Sequence, residues 1–194
     1  KYGFNSYTFM TMFIPNTYEM WWNTPEEDLI ARMAKEYKRF WNDERQDKAK
    51  RIGLSQSEVS ILASIVQRET NKNDEKPTVA GVYYNRLKKG MLLQADPTLV
   101  YAVGDFTIRR VLNKHKKVDS PYNTYVHKGL PPGPICLPSI QSIDAVLNVE
   151  DHDYVFFCAK PDGSGYHSFA KSYSQHLRNA RAFQSELNRR KVYK

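Results

Sequence analysis

Cysteine is scarce in this sequence. Cys136 and Cys158 stand apart, in no CxxC spacing. That argues against a structural zinc or dithiol redox site, while a disulfide and two buried thiols both stay open. The five histidines never fall at His-x-x-x-His or a similar ligand spacing, so no metal is expected. No apolar run approaches the roughly 18 residues of a membrane-spanning helix, and no signal peptide is evident. The chain starts at Lys1-Tyr2-Gly3 without an initiator Met, so any anchor or address is expected to lie outside it. Repeats and low-complexity tracts are missing too. What remains is a globular chain of 194 residues, long enough for one cored domain with a small appendage.

Acidic side chains are also outnumbered, 21 against 29 basic ones, giving a net charge of +8. An anionic partner or a solubility bias would both account for that. The charge is spread out, with small clusters at Lys114-His115-Lys116-Lys117 and Arg189-Arg190-Lys191 that read as solvated surface. An RNP motif, a zinc-ligand series and a recognition helix are all lacking, so nucleic acid is not the expected partner. Aromatics, by contrast, are plentiful: 13 Tyr, 9 Phe and 3 Trp. That is generous for a core and suits a cleft on which sugars or bases stack.

The strongest local signal runs from Ser55 to Thr70. Ser55 and Glu58 form a capping box that sets where a helix begins. Leu62, Ile65, Val66 and Glu69 then recur at helical spacing and share one face. A carboxylate on that stripe is partly desolvated and sits at the helix C-terminus, where the dipole disfavours negative charge. Both effects raise its pKa toward what a general acid near neutral pH needs. A Glu near a helix end also commonly reaches solvent or pairs with a neighbour such as Arg68 or Lys72, so spacing alone leaves its role open.

Around this helix, residues 1–22 read as strand-like or irregular. A first helix follows, capped by Thr24 with Pro25 at its first position and Glu27 completing a capping box. Its stripe is Leu29, Ile30, Met33, Tyr37, Phe40 and Trp41, and the polar run 42–50 prolongs it or links it onward. Pro77 opens another helix, with Val79, Val82, Tyr83 and Leu87 inward and Gly90 at its end. Residues 91–98 read as short elements with much loop, 107–113 as a helix, and 142–147 as a short helix. Five prolines between 119 and 139 exclude helix there and predict a stiff, extended segment. A hairpin of strands 154–160 and 166–169 and a basic amphipathic helix over 172–190 complete an α+β pattern: helix-rich, with one small hairpin and long proline-stiffened loops.

Such loops are often functional. Tyr122-Asn123-Thr124-Tyr125 and the stretch 129–135 offer hydroxyls, an amide and aromatic faces, which suit a carbohydrate. An ordered connection with inward-packed tyrosines fits equally well. Gln94-Ala95-Asp96-Pro97-Thr98 gathers an amide, a carboxylate and a hydroxyl in a tight turn, where capping the following segment is the commoner job for Asp96. His167 lies in a short strand, where core or surface is the common fate of a lone histidine.

Taken in order, several motifs resemble the YceG-like family of endolytic murein transglycosylases. They are Ala63-Ser64-Ile65-Val66-Gln67-Arg68-Glu69-Thr70, Val79-Ala80-Gly81-Val82-Tyr83-Tyr84-Asn85-Arg86-Leu87, Leu93-Gln94-Ala95-Asp96-Pro97-Thr98, Tyr122-Asn123-Thr124-Tyr125 and residues 129–135. Tyr166-His167-Ser168-Phe169 and His176 extend the match, as does the upstream Phe13-Ile14-Pro15-Asn16-Thr17-Tyr18-Glu19. The resemblance implies lytic cleavage of the β-1,4 bond between N-acetylmuramic acid and N-acetylglucosamine inside peptidoglycan strands, leaving 1,6-anhydro ends and terminating or trimming nascent chains. It puts the catalytic acid and base on Glu69, and gives Gln94, Asp96, Thr98, Tyr122, Asn123, Thr124, Tyr125 and His167 the binding of glycan or the orientation of Glu69. It implies no cofactor, peptidoglycan strands as partner with a synthase as a further one, and an extracytoplasmic (periplasmic) location held by a membrane helix outside this chain. Residues 1–22 would then be the tail of a LysM-like module or a lead-in, and 23–194 the catalytic domain. The chain departs from the family pattern at Gln67, where members often carry a second glutamate, at Ala95 and at Cys136-Leu137-Pro138-Ser139. A silent glycan-binding module is the alternative reading, and a basic nucleic-acid-binding protein a weaker one.

Overall fold

The structure, a computed structural model, describes residues 2–108 and 111–189. Its centre is the helix that the capping box predicts, here α3 (Gln56–Glu69). Ser55 Oγ accepts from the Glu58 N–H (3.2 Å) while the Glu58 carboxylate accepts from the Ser55 N–H (2.8 Å). From Val59 to Val66 every residue of α3 is buried, because other elements cover it on all sides. It packs against α2 (Asp43–Ile52), α4 (Lys76–Lys88), α5 (Asp96–Val103), α6 (Ile140–Leu147) and a 3₁₀ turn at Phe9–Met12. Two serines sit within that dry stretch. Ser60 donates to the Gln56 carbonyl and Ser64 to that of Ile61, so neither hydroxyl is left unpaired.

The pattern is α+β, as the sequence predicts. α1 (Glu26–Phe40) buries Met33, Ala34 and Tyr37, and Trp41 follows them inward; Met12 and Ile14 of the leading segment join the same core. Its expected cap does not form: Thr24 Oγ1 donates to the Trp21 carbonyl, and Pro25 takes the cap position with no side-chain bond. The polar run after Trp41 is a separate helix, α2. Asn42 Oδ1 accepts from the Arg45 N–H at its start, and Gly53 ends it at φ 69°.

Beyond α4, α5 begins at Asp96, where the sequence suggests only turns and short elements. Asp-Pro-Thr is a turn signal and a helix start alike, and Pro97 sits in the first turn, where its missing N–H costs nothing. The helix expected over 107–113 lies partly outside the described residues. At 107–108 and 111–113 the backbone is not helical, since Asp105 Oδ1 accepts from both the N–H and the hydroxyl of Thr107 and stabilises a turn instead.

The proline-rich segment forms no helix, as expected, but it folds through turns at 121–122 and 124–126 instead of running extended, since the Asn123 carbonyl accepts from the N–H groups of Val126 and His127. It is tied to α3 by Ser64 Oγ, which accepts the Ile135 N–H at 3.0 Å. Gly133 lets the same segment pass close to the leading residues: a Cβ there would come within 2.3 Å of the Tyr7 carbonyl oxygen. The strands β1 (Phe156–Ala159) and β2 (His167–Ala170) pair antiparallel, Phe157 opposite Phe169, under α7 (Tyr173–Arg189). Arg190 and Lys191 of the terminal basic cluster lie outside the described residues. Cys136 and Cys158 are both free thiols.

Candidate active site

Because the capping box sets the phase of α3, its last residue, Glu69, emerges where the buried face meets a groove. Two hollows flank it. One, of about 260 Å³, is lined by Glu69, Tyr83, Arg86, Leu93, Gln94, Asp96, Tyr125, Phe157 and His176. The other, of about 270 Å³, is lined by Arg68, Glu69, Asp96, Pro97, Tyr101, Phe106 and Ile135 among others. Glu69 and Asp96 belong to both. A larger hollow of about 590 Å³ beside Met20 and Trp21 shares no residue with either. Chemistry rather than size therefore points to the groove at Glu69.

The Tyr83 hydroxyl donates to Glu69 Oε1 at 2.5 Å, and Oε2 has no hydrogen-bond partner among the described residues. Burial pushes the Glu69 carboxyl up to about 7, and the negative charge of Asp96 adds to the rise. The Tyr83 hydrogen bond and the Arg86 charge pull the other way without overcoming it. Near neutral pH this group therefore spends comparable time protonated and ionised, with one oxygen held and the other facing the groove.

The segment before α5 alternates: Leu93 and Ala95 are buried, Gln94 and Asp96 exposed. That sends the two polar residues into the groove. Gln94 is held at φ 51°, the sole positive φ of a non-glycine residue among those described, with its N–H on the Thr124 carbonyl. A strained backbone of this kind persists where surrounding contacts over-determine it, often at functional sites. Asp96 accepts from the Tyr125 hydroxyl at 2.5 Å, and Lys116 lies 5.0 Å over the Tyr125 ring.

The remaining residues implied by the resemblance lie under or beside the groove. Thr98 and Thr124 are fully buried. Thr98 donates to the Ala95 carbonyl, so the Thr124 hydroxyl supplies the proton of their mutual 2.8 Å bond while it accepts the Ala95 N–H. Asn123 is also buried, with its amide on the carbonyls of Lys116 and Val118. These three brace the wall that presents Gln94, Asp96 and Tyr125. Tyr122 packs on Tyr101, ring centroids 4.7 Å apart, and lines neither hollow. His167 is paired instead with buried Glu75, Nδ1 to Oε2 at 2.7 Å, and joins the hairpin to the turn that follows Glu69. Glu75 also accepts from the Thr70 hydroxyl, next to the candidate acid.

Sequence reasoning missed Tyr83 and Arg86 as site residues and Phe157 altogether, and took His176 only as an extension of the motif match. A signal was present. Tyr83 and Arg86 are three apart on α4, so the apolar face carrying Val79, Val82 and Tyr83 also carries a cation. A charged residue on an otherwise apolar stripe is what draws attention to Glu69, and the same criterion finds Arg86. Among the described residues no group of three His, Cys, Asp or Glu is arranged to hold a metal ion.

Fold and groove together define a class: a small α+β domain in which one central helix delivers a carboxyl to a two-sided cleft. The chain belongs to the YceG-like family, which it matches over residues 2–182. It is 36% identical over 177 residues to an endolytic murein transglycosylase of Bacillus subtilis (strain 168), spanning 90% of this chain and 48% of that protein. A protein of the same name from Streptococcus pneumoniae serotype 2 (strain D39) is 31% identical, over 97% of this chain and 34% of its own length. The crystal structure of a yceG-like protein from Listeria monocytogenes superposes with a TM-score of 0.75 at 34% identity, over 87% of this chain and 54% of that one. The chain thus spans between about a third and just over half of these relatives.

Proposed function

We propose that this domain is a lytic transglycosylase that cleaves the β-1,4 bond between N-acetylmuramic acid and N-acetylglucosamine within peptidoglycan strands. The single observation that carries the reading is Glu69: one carboxyl poised near neutral pH where two sugar-sized hollows meet. Hollows on both sides of the acid suit a chain that continues in both directions from the broken bond. The names of the relatives support the substrate, and the free Oε2 supports the chemistry.

Protonated Glu69 gives its proton to the bridging oxygen as the C1–O4 bond breaks, releasing the N-acetylglucosamine side with a free 4-hydroxyl. The carboxylate then takes the proton from the muramyl 6-hydroxyl as O6 bonds to C1, closing a 1,6-anhydro ring. No water is consumed, and Glu69 ends protonated as it began. Tyr83 holds Oε1 through both steps. Hydrolysis through a covalent or water-mediated route would want a second carboxylate at a defined distance, and Asp96 is the candidate for it. The same reading places the domain at the extracytoplasmic face of a membrane, held by a helix outside this chain, with a peptidoglycan synthase as a further partner. No helix among the described residues is long and apolar enough to cross a membrane.

The test is digestion of purified murein with mass spectrometry of the products. Anhydro-muramyl ends from the wild type, lost in Glu69→Gln, are the expected result. Reducing ends in their place would move the assignment to a hydrolase using Asp96. Murein binding without any cleavage would reduce the domain to a glycan-binding module.

A further inference from the structure

Arg86 is an unusual residue for the inside of a helical domain: an arginine only 9% exposed. Its Nε donates to the Val155 carbonyl (2.6 Å) and its Nη1 to those of Leu93 (2.7 Å) and Leu92 (3.2 Å). No carboxylate among the described residues pairs with it, and Nη2 has no hydrogen-bond partner there. Its Nη2 is not sealed into the interior, so those donors are left for whatever occupies the cavity that Arg86 lines. His176, from α7, lines the same cavity. The Phe156 ring supports both groups: His176 stacks on it with centroids 5.3 Å apart, and the Arg86 guanidinium lies 5.4 Å from its centre.

His176 Nδ1 is buried with no partner. A buried N–H left unpaired is rarer in proteins than an unpaired acceptor, so the proton belongs on Nε2, at the ring edge opposite Nδ1. Burial, and secondarily the charge of Arg86, favour the neutral ring. Both groups therefore offer N–H donors, and neither offers an acceptor to the cavity. Leu93 and Phe157 supply apolar wall in the same hollow. Paired donors beside an apolar surface match a group with a carbonyl oxygen at one end and a methyl at the other.

Resting on the transglycosylase reading, we propose that Arg86 and His176 form a subsite for the acetamido group of the sugar beside Glu69. The two donors take its carbonyl oxygen, and Leu93 and Phe157 receive its methyl. The site then selects N-acetylated glycan and disfavours de-N-acetylated strands, which bring a cationic amine up to Arg86.

Arg86 also braces the backbone, so His176 is the residue to change. His176→Phe keeps the ring on Phe156 and removes the donor; His176→Gln keeps an N–H donor. On peptide-stripped glycan strands, His176→Phe is expected to lower kcat/KM for N-acetylated substrate about tenfold, through KM. The value for de-N-acetylated strands should not move, and His176→Gln should recover part of the loss. An unchanged preference for acetylated strands in His176→Phe would overturn the proposal. A second measurement separates this from failure of the catalytic reading: calorimetric binding of an N-acetylglucosamine tetramer and a glucosamine tetramer to Glu69→Gln, with and without His176→Phe. Acetyl preference in binding that His176→Phe abolishes supports the subsite even if the wild type yields no anhydro ends. Equal binding of both tetramers refutes it even if cleavage is robust.

Discussion

Gln67 and Glu69 leave the last turn of α3 about 200° apart, and their surroundings differ accordingly. Gln67 Oε1 is fully used: Ser139 Oγ donates to it at 2.9 Å, the Ser142 hydroxyl makes a short bond to it, and buried Lys76 reaches it at 3.5 Å. Among the described residues Glu69 has one hydrogen-bond partner, Tyr83, and a groove in place of the others. The first arrangement joins α3, α4 and the start of α6, and leaves the Gln67 oxygen no spare capacity for a ligand. The second leaves an oxygen free and holds the carboxyl near its titration midpoint, at a cost in stability. Satisfied polar groups build structure, and an incompletely satisfied one in a cavity is where chemistry can happen.

Substitutions on the two faces should therefore have opposite characters. Glu69→Gln is expected to cut formation of anhydro ends about 10³-fold or more, since in the proposed reaction one group serves as acid and base. The same change should stabilise the fold at pH 8. The Glu69 pKa is raised from 4.5 to about 7 in the folded chain, so its contribution to stability is full below 4.5 and is lost as pH rises through 7. Glutamine does not ionise. A gain of about 3 kcal/mol at pH 8 that closes by pH 4 in thermal melts would bear this out. A variant no more stable than wild type at pH 8 would mean that the carboxyl is solvated after all.

Tyr83→Phe should lower activity at pH 7 about tenfold by releasing Oε1. Because the lost hydrogen bond favours the carboxylate, the alkaline limb of the pH–rate profile should move to higher pH. A limb that moves down would assign the shift to another group. Thr124→Val, beneath the wall, leaves the buried Ala95 N–H unpaired and should cost about 1–3 kcal/mol in denaturant melts. KM should rise as Gln94 and Asp96 lose their backing. The smallest effect is expected on the other face. Gln67→Glu sets a carboxylate beside Lys76, whose burial disfavours its charge, and should add about 1 kcal/mol, or roughly 2–4 °C in Tm. Its kcat/KM should match wild type. Loss of activity there would show that the two faces are coupled through the helix.

Much of the molecule was legible before folding. The capping box on α3, the helix-free proline-rich segment, the hairpin and the placing of Glu69 on the buried stripe of α3 follow from residue types at fixed spacings, because helix phase and chain stiffness are local properties. Legibility failed where one residue type serves two local purposes. Asp-Pro-Thr opens a helix as readily as a turn, and Thr24 found a carbonyl where a cap was expected. It failed also for the wall, whose hydroxyls promise sugar contacts. Thr98, Thr124 and Asn123 turn their polar atoms inward, and Gln94, Asp96 and Tyr125 reach the groove.

The sequence by itself therefore determined which helix carries the acid, which way it faces and which family the chain resembles, since periodicity and motif order are written along the chain. Only the tertiary structure decided what surrounds that acid. Tyr83 and Arg86 come from α4, Asp96 from the start of α5, Phe157 from β1 and His176 from α7. A pKa near 7 arises from burial and charge among groups distant in sequence, and spacing along a chain does not encode those distances.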